Sequence, residues 1–146
     1  MILSARQIEE HRNCTDPERH LIITPFCEAS LQPASYDLRA GEDIVLSRGI
    51  CTLVPSMERV ELPPVLAAVM RCRSSFARRG VLLGGGFVDP GFRGQLTLAL
   101  TLLGEDEVFL KTGDRVVQII FHQVTAGGYR SYEGRYQDSQ GAVQAK

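Results

Sequence analysis

The sequence predicts a mostly β, single-domain protein, and three observations carry that expectation. Short segments rich in Val, Ile, Leu and Phe follow one another along most of the chain. Gly, Pro and Asp signals part them at roughly the 8–12 residue spacing of sandwiches and barrels. A length of 146 residues suits one well-buried core and is short for two.

The first element is helical: in "SARQIEEHRN" (4–13) Ser4 can cap the free N–H groups, and Ile8 is the main apolar contact. The strand candidates follow in order as "HLIITPF" (20–26), "DIVLSRGICTLVP" (43–55), "MERVEL" (57–62), "VLAAVMRC" (65–72), "GVLLGGGFV" (80–88), "GQLTLALTLL" (94–103), "EVFLKTG" (107–113) and "RVVQIIFHQV" (115–124). The two prolines of "LPPVL" (62–66) fit a short turn or an edge segment. From Tyr132 the composition turns polar and glycine-containing, so residues 132–146 are expected to be mobile unless something orders them.

Composition excludes several function classes. With 16 basic and 17 acidic residues the net charge is −1, so global charge does not mark a nucleic-acid binder, and a phosphate site has to be local. No apolar run approaches the roughly 18 residues of a membrane span. The opening "MILSARQIEEHRN" carries acids where a secretion signal is basic and then apolar. A cytoplasmic protein without membrane or nucleic-acid partners is expected. Cys14, Cys27, Cys51 and Cys72 form no Cys-x-x-Cys pair, and His11, His20 and His122 are equally scattered. The His-x-Glu and Pro-Cys-x-x-Cys motifs of zinc nucleoside deaminases are absent from the sequence, so no zinc is expected.

Four polar clusters interrupt the strands. "RCRSSFARRG" (71–80) is either a solvated basic turn or a polyphosphate cradle, in which Ser hydroxyls and the forks of Arg73 and Arg78 donate to phosphate oxygens. In "GDRVVQIIF" (113–121) Gln118 falls within an apolar strand and needs a partner for its amide, from the protein or from a ligand. In "QPASYDLRAG" (32–41) Asp37, taken alone, reads as a turn-capping residue more readily than a catalytic one. In "GGGFVDPGFRG" (84–94) three glycines let backbone approach a flat ligand, Phe92 offers a ring face, and Asp89 opens a tight turn with Pro90 and Gly91.

In order and spacing, "MILSARQI", "QPASYDLRAG", "RSSFARRG", "GFVDPGFRGQLTLAL", "GDRVVQIIF" and "YEGRYQDSQGAV" resemble the dCTP deaminase and dUTP diphosphatase superfamily over nearly the whole chain. The opening, "RSSFARRG", "DPGF" and the tail look most like the deaminase branch. The resemblance implies a distorted jelly-roll, the dUTPase-like β-clip, as one domain over 1–146 with 132–146 as a C-terminal lid. It further implies a homotrimer with sites at its interfaces, and a deoxynucleoside triphosphate bound with magnesium. Arg73, Ser74, Ser75, Arg78 and Gln118 match phosphate-binding positions, and Tyr132 and Arg135 match tail positions that close over the triphosphate. Gly86, Phe87, Val88 and Phe92 match the nucleoside pocket. Asp37 matches an acid associated with the site metal, through water. Asp89 matches the diphosphatase aspartate that binds the sugar 3′-hydroxyl and orients water toward the α-phosphate.

Two departures weigh against deamination. Deaminases similar to this chain read "TLEL" where it has Thr97-Leu98-Ala99-Leu100, and that glutamate activates water for attack at C4 of cytosine; a methyl group transfers no proton. Ser139 stands where a tail glutamine is expected, with Gln140 one residue later. The glycine-rich, Phe-containing fifth motif of diphosphatases is also missing. The leading expectation is hydrolysis of dUTP to dUMP and pyrophosphate. The alternatives are a dCTP deaminase or bifunctional enzyme using another acid, such as Glu105 or Glu133, and a non-catalytic nucleotide-binding homologue.

Overall fold

The computed structural model describes residues 1–125 and 130–146. Helix α1 (Ala5–Arg12) begins at Ser4, whose hydroxyl accepts from the Gln7 N–H while the Gln7 side chain accepts from the Ser4 N–H. This reciprocal pair satisfies N–H groups that a helix start leaves free. Ile8 is the buried face of the helix, as expected.

Eleven strands follow among the described residues: β1 (Ile22–Thr24), β2 (Leu31–Gln32), β3 (Ser35–Arg39), β4 (Ile44–Ser47), β5 (Cys51–Glu61), β6 (Leu66–Cys72), β7 (Val81–Gly84), β8 (Phe87–Val88), β9 (Arg93–Leu102), β10 (Glu107–Leu110) and β11 (Arg115–Gln123). A four-stranded sheet has the order β1-β5-β9-β7, and a five-stranded sheet the order β2-β3-β11-β6-β8. Strands β4 and β10 pair as a separate ribbon. All these ladders are antiparallel. Leu98 and Val54 from the first sheet and Tyr36, Ile119 and Phe121 from the second belong to one contiguous buried cluster. The architecture is a jelly-roll-type single domain, mostly β as the sequence predicts. Among the described residues, no helix is long and apolar enough to cross a membrane.

Several boundaries differ from the sequence reading. The segment 43–55 is two strands, and its second half runs on through "MERVEL" as the single long β5. Pro55 does not end that strand. The ladder is irregular between Pro55 and Arg59, and Ser56 bridges the defect by accepting from the Leu96 N–H at 2.9 Å and donating to the Glu58 carbonyl at 2.6 Å. "ASYDLR", read as a turn-like polar cluster, is the buried strand β3, because Tyr36 and Leu38 face the core on a strand covered on both sides. "RSSFARRG", read as a turn, contains the short helix α2 (Ser74–Ala77). The segment 80–88 divides at Gly85 and Gly86 and passes from the four-stranded sheet to the five-stranded one.

Candidate functional site

Strand β9 alternates strictly: Leu96, Leu98 and Leu100 point into the core, while Gln95, Thr97 and Ala99 stay half-exposed on the opposite face. That face forms one wall of a cavity of about 580 Å³. The second wall is the segment Gly86, Phe87, Val88 and Asp89, with Phe92 at its base and Tyr132, Tyr136, Ser139 and Val143 from the tail closing over it. A Cβ on Gly86 would stand 3.0 Å from the Met70 Cβ, and φ there is +113°, so glycine alone lets this backbone lie against β6. Phe87 is 65% exposed, an aromatic surface left open in the cavity wall.

Asp89 is the one carboxylate among the lining residues. Its carbonyl accepts from the Phe92 N–H at 3.1 Å, closing the Asp-Pro-Gly turn, and Leu62 fastens that turn through Gly91 N–H to its carbonyl (3.0 Å) and its own N–H to the Phe92 carbonyl (2.8 Å). Ala99 lines the same cavity and presents only a methyl group. Glu105 is held by both arms of Arg79 at 2.9 and 2.8 Å and lines no part of the cavity; Glu133 lies outside it as well.

A second cluster gathers at β3, β11 and the start of α2. Asp37 is 1% exposed; Arg73 Nε lies 3.0 Å and Arg115 Nη1 3.7 Å from its Oδ2. Arg73 also donates through Nη1 to the Arg115 carbonyl at 3.0 Å. Gln118 stands directly beside Asp37 on one neighbouring strand and Arg71 on the other, and its side chain is half-buried. Ser74, Ser75 and Arg78 are exposed on and just after α2. Burial pushes the Asp37 carboxyl above the ordinary carboxylate range, and the charges of Arg73 and Arg115 pull it part of the way back.

A protein-held divalent ion does not fit these surroundings. Two guanidinium groups already face the Asp37 carboxylate, and among the described residues no three His, Cys, Asp or Glu side chains gather to hold a metal.

The structure thus brings Asp89, Gly86, Phe87, Val88, Phe92 and Tyr132 together around one cavity. Arg73, Ser74, Ser75, Arg78 and Gln118 line no part of that cavity in the same chain. Arg135 is exposed and donates to the Lys146 carbonyl at the chain end. The sequence reading missed Gln95 and Thr97. Gln95 accepts from the Gly141 N–H at 2.7 Å, and Thr97 from the Val143 N–H at 3.0 Å. Their alternation with the core leucines was the signal that could have found them. It also missed the clasp on Asp138, which Arg93 grips at 2.8 and 3.0 Å and Arg59 at 3.0 Å.

A family model described as dCTP deaminase-like matches residues 39–124. A dCTP deaminase of Thermococcus sibiricus is 39% identical over an alignment covering 84% of this chain and 88% of that one. A probable deoxyuridine 5′-triphosphate nucleotidohydrolase of Sulfolobus islandicus rod-shaped virus 1 is 32% identical, covering 100% of this chain and 99% of that one. Among solved structures, the 2′-deoxycytidine 5′-triphosphate deaminase from Agrobacterium tumefaciens superposes with a TM-score of 0.71 at 21% identity. That match covers 84% of this chain, which spans about half (48%) of that longer protein, and it carries the fold alone.

Proposed function

Because this chain belongs to the dCTP deaminase-like family, we propose that it hydrolyses a deoxynucleoside triphosphate, dUTP foremost, to the monophosphate and pyrophosphate. The observation that carries this reading is the cavity in which Asp89 is the one carboxylate and Ala99 occupies the β9 wall. The substrate is the magnesium complex of the triphosphate. Its base rests between Phe87 and the β9 face, and its deoxyribose lies over Phe92 beside Asp89.

In this reading Asp89 orients a water molecule at the α-phosphorus and accepts its proton as the new oxygen–phosphorus bond forms. The bond to the pyrophosphate oxygen breaks in line, and the proton passes to solvent. Such a displacement draws on positioning and charge neutralisation more than on a strong base. Arg73, Ser74, Ser75, Arg78 and Gln118 supply the neutralising donors. Since they line no part of the cavity in their own chain, they serve the cavity of a neighbouring subunit, and the working form is a homotrimer. Arg73 is prepared for that task, with Asp37 on its Nε and a carbonyl on Nη1 leaving the rest of the fork for phosphate.

A second reading, dCTP deamination, draws support from the 39% identity to a dCTP deaminase. It requires an acid at the base, where Ala99 offers none. Pyrophosphate and ammonia release from a panel of deoxynucleoside triphosphates separates the readings. Pyrophosphate from dUTP and no ammonia from dCTP are expected, and Asp89→Asn is expected to lower hydrolysis by roughly 10²–10⁴-fold. Robust ammonia release from dCTP would reverse the ranking. Binding without either product would make the chain a nucleotide-binding homologue.

A further inference from the structure

The ladder of β9 has a gap on one edge. Strand β5 accompanies β9 from Arg93 to Thr101, but β7 pairs only with Ala99 to Leu102. The backbone groups of Arg93 and Gln95 on that edge are met by the tail. Asp138 N–H donates to the Arg93 carbonyl at 2.8 Å, Gln95 N–H donates to the Ser139 carbonyl at 2.9 Å, and Ser139 bridges Gly94 in parallel. Gly94 has φ +150°, and a Cβ there would stand 2.9 Å from the Ser139 nitrogen, so the tail approaches closer than a side chain would permit.

Gln137 reaches further, into the turn that carries Asp89. Its Nε2 donates to the Gly91 carbonyl at 2.8 Å and the Tyr132 carbonyl at 3.1 Å, and its Oε1 accepts from the Arg93 N–H at 2.8 Å. Tyr132 N–H donates to the Pro90 carbonyl at 2.8 Å on the same turn. One amide therefore uses both its donors and an acceptor to fix residues on either side of Phe92.

We infer that residues 132–139 are a built-in brace for the Asp89 turn of their own chain, and that Gln137 is its positioning residue. The positioning role rests on the reading of Asp89 as the acid of hydrolysis; the brace does not. An edge of unpaired backbone beside a reactive turn would fray, and the tail removes that freedom before nucleotide arrives.

Two arms test this on the full chain. In nucleotide-free protein, hydrogen exchange at Arg93 N–H is expected to be slow in wild type and fast in Gln137→Ala. Gln137→Glu retains an acceptor for Arg93 but sets a carboxylate oxygen against the Gly91 and Tyr132 carbonyls, and it is expected to exchange faster than wild type. It also serves if the alanine variant does not fold. In dUTP turnover both variants are expected to lose about tenfold to a hundredfold in kcat with KM unchanged, as misplacement of a reacting group does. Fast exchange at Arg93 in wild type would overturn the brace. Lost protection with intact kcat, or a change confined to KM, would overturn the positioning role. If wild type releases no pyrophosphate, the hydrolysis reading and the positioning role fall together, and the exchange arm alone decides the brace.

Discussion

Two buried carboxylates show how differently one residue type is used in this chain. Glu58 is fully buried, yet Arg39 meets it with Nε at 2.6 Å and its backbone N–H at 2.9 Å, and the Tyr36 hydroxyl adds a third contact at 3.4 Å. Removing one partner of such a pair leaves the other charged and largely buried. Glu58→Ala is therefore expected to cost about 3–5 kcal/mol in chemical denaturation. Asp37 is as deeply placed but has ion pairs without a hydrogen bond to either oxygen. Its folded pKa is raised, so the native state holds its proton where the unfolded chain has lost it. Stability from this group is then present at low pH and declines as pH rises from the ordinary carboxylate range through the raised value. Compared with Asp37→Asn, the wild type is expected to lose melting temperature over that rise, while the variant binds triphosphate more weakly through a loosened Arg73. Neither role was read from the sequence. The parity of Glu58 with Val60 and Leu62 did point it inward, but a charged residue in a short polar stretch reads as surface, because its partner Arg39 sits on another strand.

At the scale of elements, period-two alternation made β9 legible, since a strand with one face in the core has no other way to place its leucines, whereas β11 read as an apolar run interrupted by Gln118. The tail was legible as composition and, through the resemblance of "YEGRYQDSQGAV", as a lid, but its docking onto β9 was not. A polar, glycine-containing segment reads as mobile when its partners lie 45 residues away, as Arg93 does from Asp138. Hydrogen bonds to Arg93 and then Arg59 hold the Asp138 carboxyl below its ordinary range. Its contribution to docking is complete above that range and disappears as pH falls through the depressed value. Protection from hydrogen exchange over residues 137–143, taken relative to the intrinsic amide rate at each pH, is expected to fall on acidification and in high salt, because these side chains are half-exposed and screened. Asp138→Asn is expected to show the reduced protection already at neutral pH, with little further response to salt.

For the whole molecule, the fold class followed from strand spacing and from motif order, and so did Gly86 to Asp89, Phe92 and Tyr132 of the cavity, but not Gln95 or Thr97. Sites shared between subunits were implied by the resemblance, and the folded chain adds that the cradle around Arg73 lines no part of its own cavity. A homotrimer is the expected assembly, and sedimentation as a monomer at micromolar concentration would remove the basis for shared sites. The proposed sharing of sites between subunits has a genetic consequence. A chain with Arg73→Ala keeps a sound cavity, and a chain with Asp89→Asn keeps a sound cradle. Each alone, as a pure trimer, is expected to have lost most of its activity. Refolded together in equal amounts, the two are expected to regain about a quarter of the wild-type rate, the share of interfaces at which a random mixture sets an intact cradle against an intact cavity. Two defective alleles in one cell would then rescue each other.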